Sequence, residues 1–133
     1  MDGNIDRFSA HLFQQHYGES VLAEYQSQPV GVGLVSTTYS TFLTLPGLFI
    51  EDLFVLPASR GQGIGTAILA YWAKQAIDRG YGRLEWRVRD GNQAAIAFYQ
   101  RLGATILPDW RVCQMYEPAI AALAAKAPLH SIT

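Results

Sequence analysis

The chain has 133 residues, half of them hydrophobic and 16% charged, with a formal net charge of −1 at pH 7. That is the length of one domain, long enough to bury a core and too apolar for a disordered segment. The near-neutral balance, without a basic cluster, argues against nucleic acid and anionic membrane as partners.

No stretch reaches the roughly 18 apolar residues of a membrane span. The start, Met1 to Asp6, is acidic and has no apolar signal-peptide stretch, so a cytoplasmic protein is expected. Cys113 is the single cysteine, so it has no internal disulfide partner. It sits in the apolar run Trp110 to Met115 and reads as a core residue rather than a nucleophile.

Residues 4–17 read as a short amphipathic helix, with Ile5, Phe8, Leu12 and Phe13 on one face and Gly18 as its stop. His11 and His16 do not have the i, i+4 spacing of a metal pair, and no third ligand cluster is visible. Residues 21–25 and 30–39 read as two antiparallel strands, joined by a turn at Gln26 to Pro29. Gly31 and Gly33 predict a bulge, or a close approach by a neighbour, in the second strand. Residues 36–44 mix strand and loop character, and Leu45-Pro46-Gly47 is expected to turn the chain into the next strand.

Residues 48–56 are β-branched, aromatic and aliphatic apart from Glu51 and Asp52, and Pro57 ends that strand. From Ile64 the period changes from two to about 3.6. Ile64, Ile68, Leu69, Trp72, Ala76 and Ile77 fall on one helical face. Between strand and helix lies Arg60-Gly61-Gln62-Gly63-Ile64-Gly65-Thr66. A glycine-rich turn opening a helix gathers free backbone N–H groups, and the helix dipole adds partial positive charge. Arg60 adds a formal charge, and a pyrophosphate is the natural guest. A Walker P-loop would need Lys before Thr66, where Gly65 stands. A dinucleotide-binding turn would follow its strand more directly, and that strand would be buried on both faces, which Glu51-Asp52 contradicts. A plain helix-start loop remains the alternative.

Gly80 and Gly82 punctuate the end of the long helix, and residues 83–89 read as a strand with Leu84, Trp86 and Val88 on one side and Glu85 and Arg87 on the other. Strand, helix and strand make a βαβ unit, so these two strands should be parallel. Asp90-Gly91-Asn92 caps a second helix over 93–102, stopped by Gly103. Residues 110–116 read as a last strand. Pro118 starts a short alanine-rich helix, and the tail after Pro128 is expected to fray.

Three stretches in this order resemble the GNAT acetyltransferase superfamily, and within it the diamine acetyltransferases of the spermidine/spermine and thialysine types. They are Ile50-Glu51-Asp52-Leu53-Phe54-Val55, Arg60-Gly61-Gln62-Gly63-Ile64-Gly65, and Asn92 through Phe98-Tyr99 to Gly103-Ala104. The likeness covers residues 48–116. It implies an α/β (α+β) fold with a mixed, mostly antiparallel central sheet and helices on both faces. It also implies acetyl-CoA as donor and no metal.

On that resemblance the pyrophosphate lies on the N–H groups of residues 61–66, that is Gly61, Gln62, Gly63, Ile64, Gly65 and Thr66, beside Arg60. The pantetheine arm runs along Leu53, Phe54 and Val55, and a backbone N–H there polarises the thioester carbonyl. Asn92, Ala95 and Tyr99 complete the coenzyme contacts. A lysine-like amine, of pKa about 10.4, arrives protonated and needs a base. Glu51 is the favoured base, directly or through a water. Strand alternation is expected to leave only one of Glu51 and Asp52 facing the cleft; Asp52 is either the other candidate base or a structural hydrogen-bonding residue. Tyr99 is the candidate acid for the departing thiolate, since a tyrosine phenol keeps its proton at neutral pH; core packing is the alternative role. Glu51, Glu85, Trp86, Arg87 and Asp109 are the candidate acceptor contacts. Arg87 bears on an acceptor carboxylate only if it faces the site.

The family normally begins with a strand and a helix ahead of the segment that opens this chain. Their absence is expected to leave an apolar sheet edge or face open and to remove one wall of the acceptor site, which a homodimer would cover. Two functions follow: acetyl transfer to a small primary amine, or a shortened domain that holds an acyl-CoA without turnover. A protein amine is a third possible acceptor.

Overall fold

The computed structural model describes residues 3–128; the tail expected to fray lies outside them. The described residues divide into two compact units, one ending at Arg89 and the other starting at Asp90.

The first unit runs α1 (Ile5–Phe13), β1 (Glu19–Tyr25), β2 (Gln28–Ser40), β3 (Leu45–Val55), a single 3-10 turn (Pro57–Ser59), α2 (Ile64–Asp78) and β4 (Arg83–Glu85). The sheet order is β1-β2-β3-β4. The first two pairings are antiparallel, and β3 with β4 is parallel, giving the expected mixed, mostly antiparallel sheet. The parallel pair is the one joined through α2, since only a crossover can return the chain in the same direction.

Helix α1 is shorter than its apolar pattern predicts. Asn4 caps it by accepting the Arg7 N–H at 2.9 Å. It ends at Phe13, and His16 takes a left-handed φ of 56° before Gly18 is reached. No residue of α1 is buried, and Ile5, Phe8 and Phe13 are exposed.

Gln26 and Ser27 both have positive φ, so β1 and β2 are joined by a two-residue turn, and Pro29 lies inside β2 rather than in the turn. Paired positive φ matches the twist of the flanking strands. The β2–β3 connection also falls earlier than expected. It occupies residues 41–44, with Thr44 at φ 55° and the Ser40 hydroxyl accepting the Leu43 N–H at 3.0 Å. Leu45, Pro46 and Gly47 are already strand, and Pro46 is tolerated near the strand start, where a missing N–H costs least.

Helix α2 packs on the sheet face that carries Gly31, Gly33, Val35, Leu48 and Ile50. Its Ile68, Leu69, Trp72 and Ala76 are buried, with Trp72 only 1% exposed. Ile77, expected on this face, is exposed. One residue past Ala76, it is turned about 100° away from the sheet. Gly33 allows the helix to come this close: a Cβ there would lie 2.4 Å from Ile68 Cγ2 and 2.9 Å from Trp72 Nε1.

The end of α2 is tied down twice. Gly82 N–H donates to Pro46 C=O at 2.9 Å, hooking the chain to the start of β3. Arg79 donates both terminal nitrogens to Glu19 at 2.7 Å, linking the helix end to β1. The Arg79 hydrogen bonds hold the Glu19 carboxyl below its ordinary value of 4.5, burial opposes them, and charge attraction adds to them. A carboxyl more acidic in the folded than in the unfolded state stabilises fully above pH 4.5 and stops doing so as pH falls through the lowered value. Both side chains are partly solvated, so Glu19→Gln is expected to cost only about 0.5 kcal/mol at pH 7. The loss should shrink as pH falls below 4.5, as read by urea midpoints of the two proteins; a gap that stays the same through that range would refute the ionic origin.

Strand β4 stops at Glu85 rather than Arg89, and pairs with β3 only over Gly47–Phe49. The second unit contains α3 (Gln93–Arg101) and α4 (Ala119–Ala124). Asn92 caps α3 by accepting the Ala95 N–H at 3.1 Å, and Gly103 leaves it at φ 100°, both as the sequence predicts. Helix α4 follows Pro118 as expected. The strand expected over 110–116 does not form: this segment finds no ladder partner among the described residues. Trp110, Val112 and Tyr116 are exposed, and so is Cys113, which is not a core residue. Among the described residues no helix is long and apolar enough to cross a membrane.

Candidate active site

The site grows from an irregularity in β3. Val35 pairs with Ile50 but Leu34 pairs with Asp52, so Glu51 is an extra residue on β3. Such a bulge shifts the alternation of side chains by one. Before it, Leu48 and Ile50 point toward α2; after it, Leu53 and Val55 do, opposite Gly33 and Gly31. Asp52 shares the other face with its partner Leu34. Glu51 joins it there, because Ser36, the cross-strand partner of Phe49, donates its hydroxyl to Glu51 Oε1 at 2.9 Å. Both carboxylates therefore face away from α2. The expectation that alternation allows only one of them on that face is corrected by the bulge.

The bulge coincides with the parting of β3 from β4. Past Phe49, β3 has β2 on one edge and no strand on the other among the described residues. Leu56 N–H donates to Val30 C=O at 2.8 Å, so Leu56 and Phe54 aim their backbone groups at β2. Leu53 and Val55 then aim theirs at the opened edge. There the Val55 carbonyl accepts the Arg60 Nε–H at 3.0 Å.

At the end of this edge lies the glycine turn. Gly61 and Gly63 have φ of 79° and 84°, which side-chain-bearing residues rarely adopt, and a Cβ on either would meet nothing within 4 Å. Gly63 is the N-cap of α2 and offers no side-chain cap. The first intrahelical bond runs from Ala67 N–H to Gly63 C=O at 3.0 Å. The N–H groups of Ile64, Gly65 and Thr66 precede that bond and point out of the helix end, into the positive end of its dipole. Gln62 is exposed within the turn. Arg60 is anchored at its start by its bond to Val55, with its guanidinium 5.6 Å from the Phe54 ring centroid. The free N–H groups and the positive charge gathered here could hold an anionic phosphate group, and the turn is continuous with the opened edge of β3.

On the face bearing Glu51 and Asp52, Glu85 is the register partner of Phe49. Its carboxylate lies 2.9 Å from Arg83 Nε. Arg87 has its guanidinium over the Phe49 ring, 5.0 Å from the centroid, so it belongs to the same face. Trp86 follows directly after β4 and is half-buried. Ser36 and Phe49 were not singled out from the sequence. The available signal was the hydrophobic parity, Leu48 and Ile50 even but Leu53 and Val55 odd, which places a bulge between them.

In the second unit, Asn92 Oδ1 is engaged in capping α3 through Ala95. Tyr99 is half-buried on α3, its ring 5.5 Å from that of Phe98. Asp109 is exposed in a turn after Pro108. Among the described residues, no group of three or more His, Cys, Asp or Glu side chains could hold a metal ion.

The family model described as Acetyltransferase (GNAT) family matches residues 2–104. An L-ornithine N5-acetyltransferase of Arabidopsis thaliana is 40% identical over 93 residues, 70% of this chain and 41% of that protein. A thialysine N-epsilon-acetyltransferase of Bos taurus is 37% identical over 100 residues, 73% of this chain and 58% of that protein. The chain thus spans about half the length of these curated relatives. Among solved structures, an integron cassette protein from the mobile metagenome of V. cholerae superposes with a TM-score of 0.77 at 20% identity, over 92% of this chain and 78% of its own, a likeness of fold.

Proposed function

The chain belongs to the acetyltransferase (GNAT) family, and from that premise we propose that it transfers an acetyl group from acetyl-CoA to a primary amine of a small molecule, a diamine, polyamine or amino acid. The names of the relatives, for ornithine and thialysine, support a small amine as acceptor. The observation that carries the reading is the bulge at Glu51, which puts two carboxylates next to a strand edge that leads to a phosphate cradle.

The residues present fit the coenzyme. The uncapped start of α2, two glycines at positive φ with open space around them, and Arg60 suit a pyrophosphate. The backbone groups of Leu53 and Val55 at the opened edge, beside Phe54, suit an extended pantetheine arm. Asn92, Ala95 and Tyr99 are assigned the remaining coenzyme contacts from the family motif. Acetyl-CoA supplies the acetyl group as a thioester, already activated for attack.

Glu51 takes the proton of the incoming ammonium, freeing the lone pair that attacks the carbonyl carbon. Ser36 fixes the orientation of that carboxylate. A backbone N–H of Leu53 or Val55 stabilises the charge developing on the carbonyl oxygen. The new C–N bond replaces the C–S bond, and Tyr99 gives the departing sulfur its proton. Glu85, Trp86 and Asp109 carry acceptor contacts. The chain, residues 1–133, is proposed as a single acetyltransferase domain. The protein works as a homodimer, a reading supported by the outer edge of β1, which pairs with no further strand among the described residues, and by Leu22 and Tyr25 exposed on that strand.

The test is free-thiol release with acetyl-CoA and putrescine, spermidine, lysine, thialysine and ornithine, beside calorimetric acetyl-CoA binding and light scattering for the dimer. Turnover on at least one amine is expected, with Tyr99→Phe about tenfold slower. That loss is modest because a thiol, of pKa about 8.5, leaves readily without a general acid. Binding without turnover would point instead to a coenzyme-holding module or a protein acceptor. Absence of binding would refute the cofactor assignment.

A further inference from the structure

We propose that Arg87, seated on Phe49, is the residue that reads the acceptor's carboxylate, and that the acceptor is a diamino acid rather than a diamine or polyamine. This rests on the acetyl-transfer reading and narrows its substrate class.

The Glu51 face does not carry carboxylates alone: Arg83 and Arg87 lie on it beside Glu51, Asp52 and Glu85. Of its carboxylates, Glu85 is engaged by Arg83 at 2.9 Å. Arg87 makes no ion pair among the described residues; its recorded contact is with the Phe49 ring at 5.0 Å. A guanidinium lying on an aromatic face keeps its edge donors directed outward, and those donors match a carboxylate in a two-pronged geometry. Phe49 and Glu51 are two residues apart on β3, at most about 7 Å of chain, with the bulge shortening the step. An amine and a carboxylate separated by the four or five carbons of a diamino acid span a comparable distance, on the order of 6–7 Å. The amine then meets Glu51 while the carboxylate meets Arg87. A diamine of the same length would place its second ammonium against the guanidinium, a like-charge contact.

Matched acceptors that differ only in the carboxylate give the test: ornithine against putrescine, and lysine against cadaverine, by thiol release at saturating acetyl-CoA. The wild type is expected to favour each amino acid in kcat/KM by about tenfold or more, the scale of one charge-assisted hydrogen-bond pair. Arg87→Leu should raise KM for the amino acid with little change in kcat, and increase turnover of the diamine, so that the preference collapses. Arg87→Lys should restore part of it, keeping charge without the planar fork. Arg87 is exposed, so neither substitution disturbs the core. A wild type that prefers the diamines, or an Arg87→Leu protein that keeps its preference, overturns the carboxylate role while leaving acetyl transfer intact. No thiol release on any amine would overturn acetyl transfer to small amines, and the carboxylate role with it.

Discussion

Glu51→Gln is expected to lower kcat at pH 7 by about 100-fold, within the usual range for a positioned general base. An amine of pKa near 10.4 is almost wholly protonated at neutral pH, so the attacking lone pair must be released at the site. Glutamine preserves the shape and can still accept the Ser36 hydroxyl bond recorded at 2.9 Å, which separates loss of the base from loss of local structure. The deficit should shrink as pH rises toward 10, because the amine then loses its proton to solvent and needs the base less. Asp52→Asn is the companion measurement, since the bulge turns both carboxylates to the same face. A large loss in Asp52→Asn with Glu51→Gln near wild type would move the role of base to Asp52. A pH-independent deficit in Glu51→Gln would indicate that Glu51 positions the acceptor rather than accepting its proton.

Gly33→Ala is expected to destabilise the protein by about 2–3 kcal/mol, a fall in Tm on the order of 10 °C. The added Cβ would sit 2.4 Å from Ile68 Cγ2 and 2.9 Å from Trp72 Nε1, and both neighbours are buried. Neither can swing away, because Trp72 fills the space between sheet and helix. The helix must therefore lift from β2. Gly91→Ala is the control, with nothing within 4 Å of the new Cβ and no positive φ, and should be close to neutral. Thermal melts that coincide for the two variants would show that α2 can shift without cost. Because the proposed phosphate cradle lies at the start of α2, Gly33→Ala should weaken acetyl-CoA binding in calorimetry as well.

What the sequence determined by itself was mostly local. The change from period two to 3.6 at Ile64, the glycines at 61 and 63 and the Asn92 cap each depend on bonds within a few residues, so they survive without knowledge of neighbours. The family likeness of residues 48–116 is legible for the same reason, because its motifs are contiguous. What failed was whatever needs a partner strand or a partner surface. The strand expected over 110–116 has the right composition but no ladder among the described residues, and Cys113 is exposed. Strand β4 ends at Glu85, where its pairing with β3 ends, although its alternating sequence pattern continues to Arg89. The site itself depends on the same long-range pairing. Glu51 and Asp52 share a face only because one residue of β3 goes unmatched against β2. A register shift is a property of two strands together: the parity of Leu48, Ile50, Leu53 and Val55 records it in the sequence, but only pairing with Val35 and Leu34 decides where the extra residue falls.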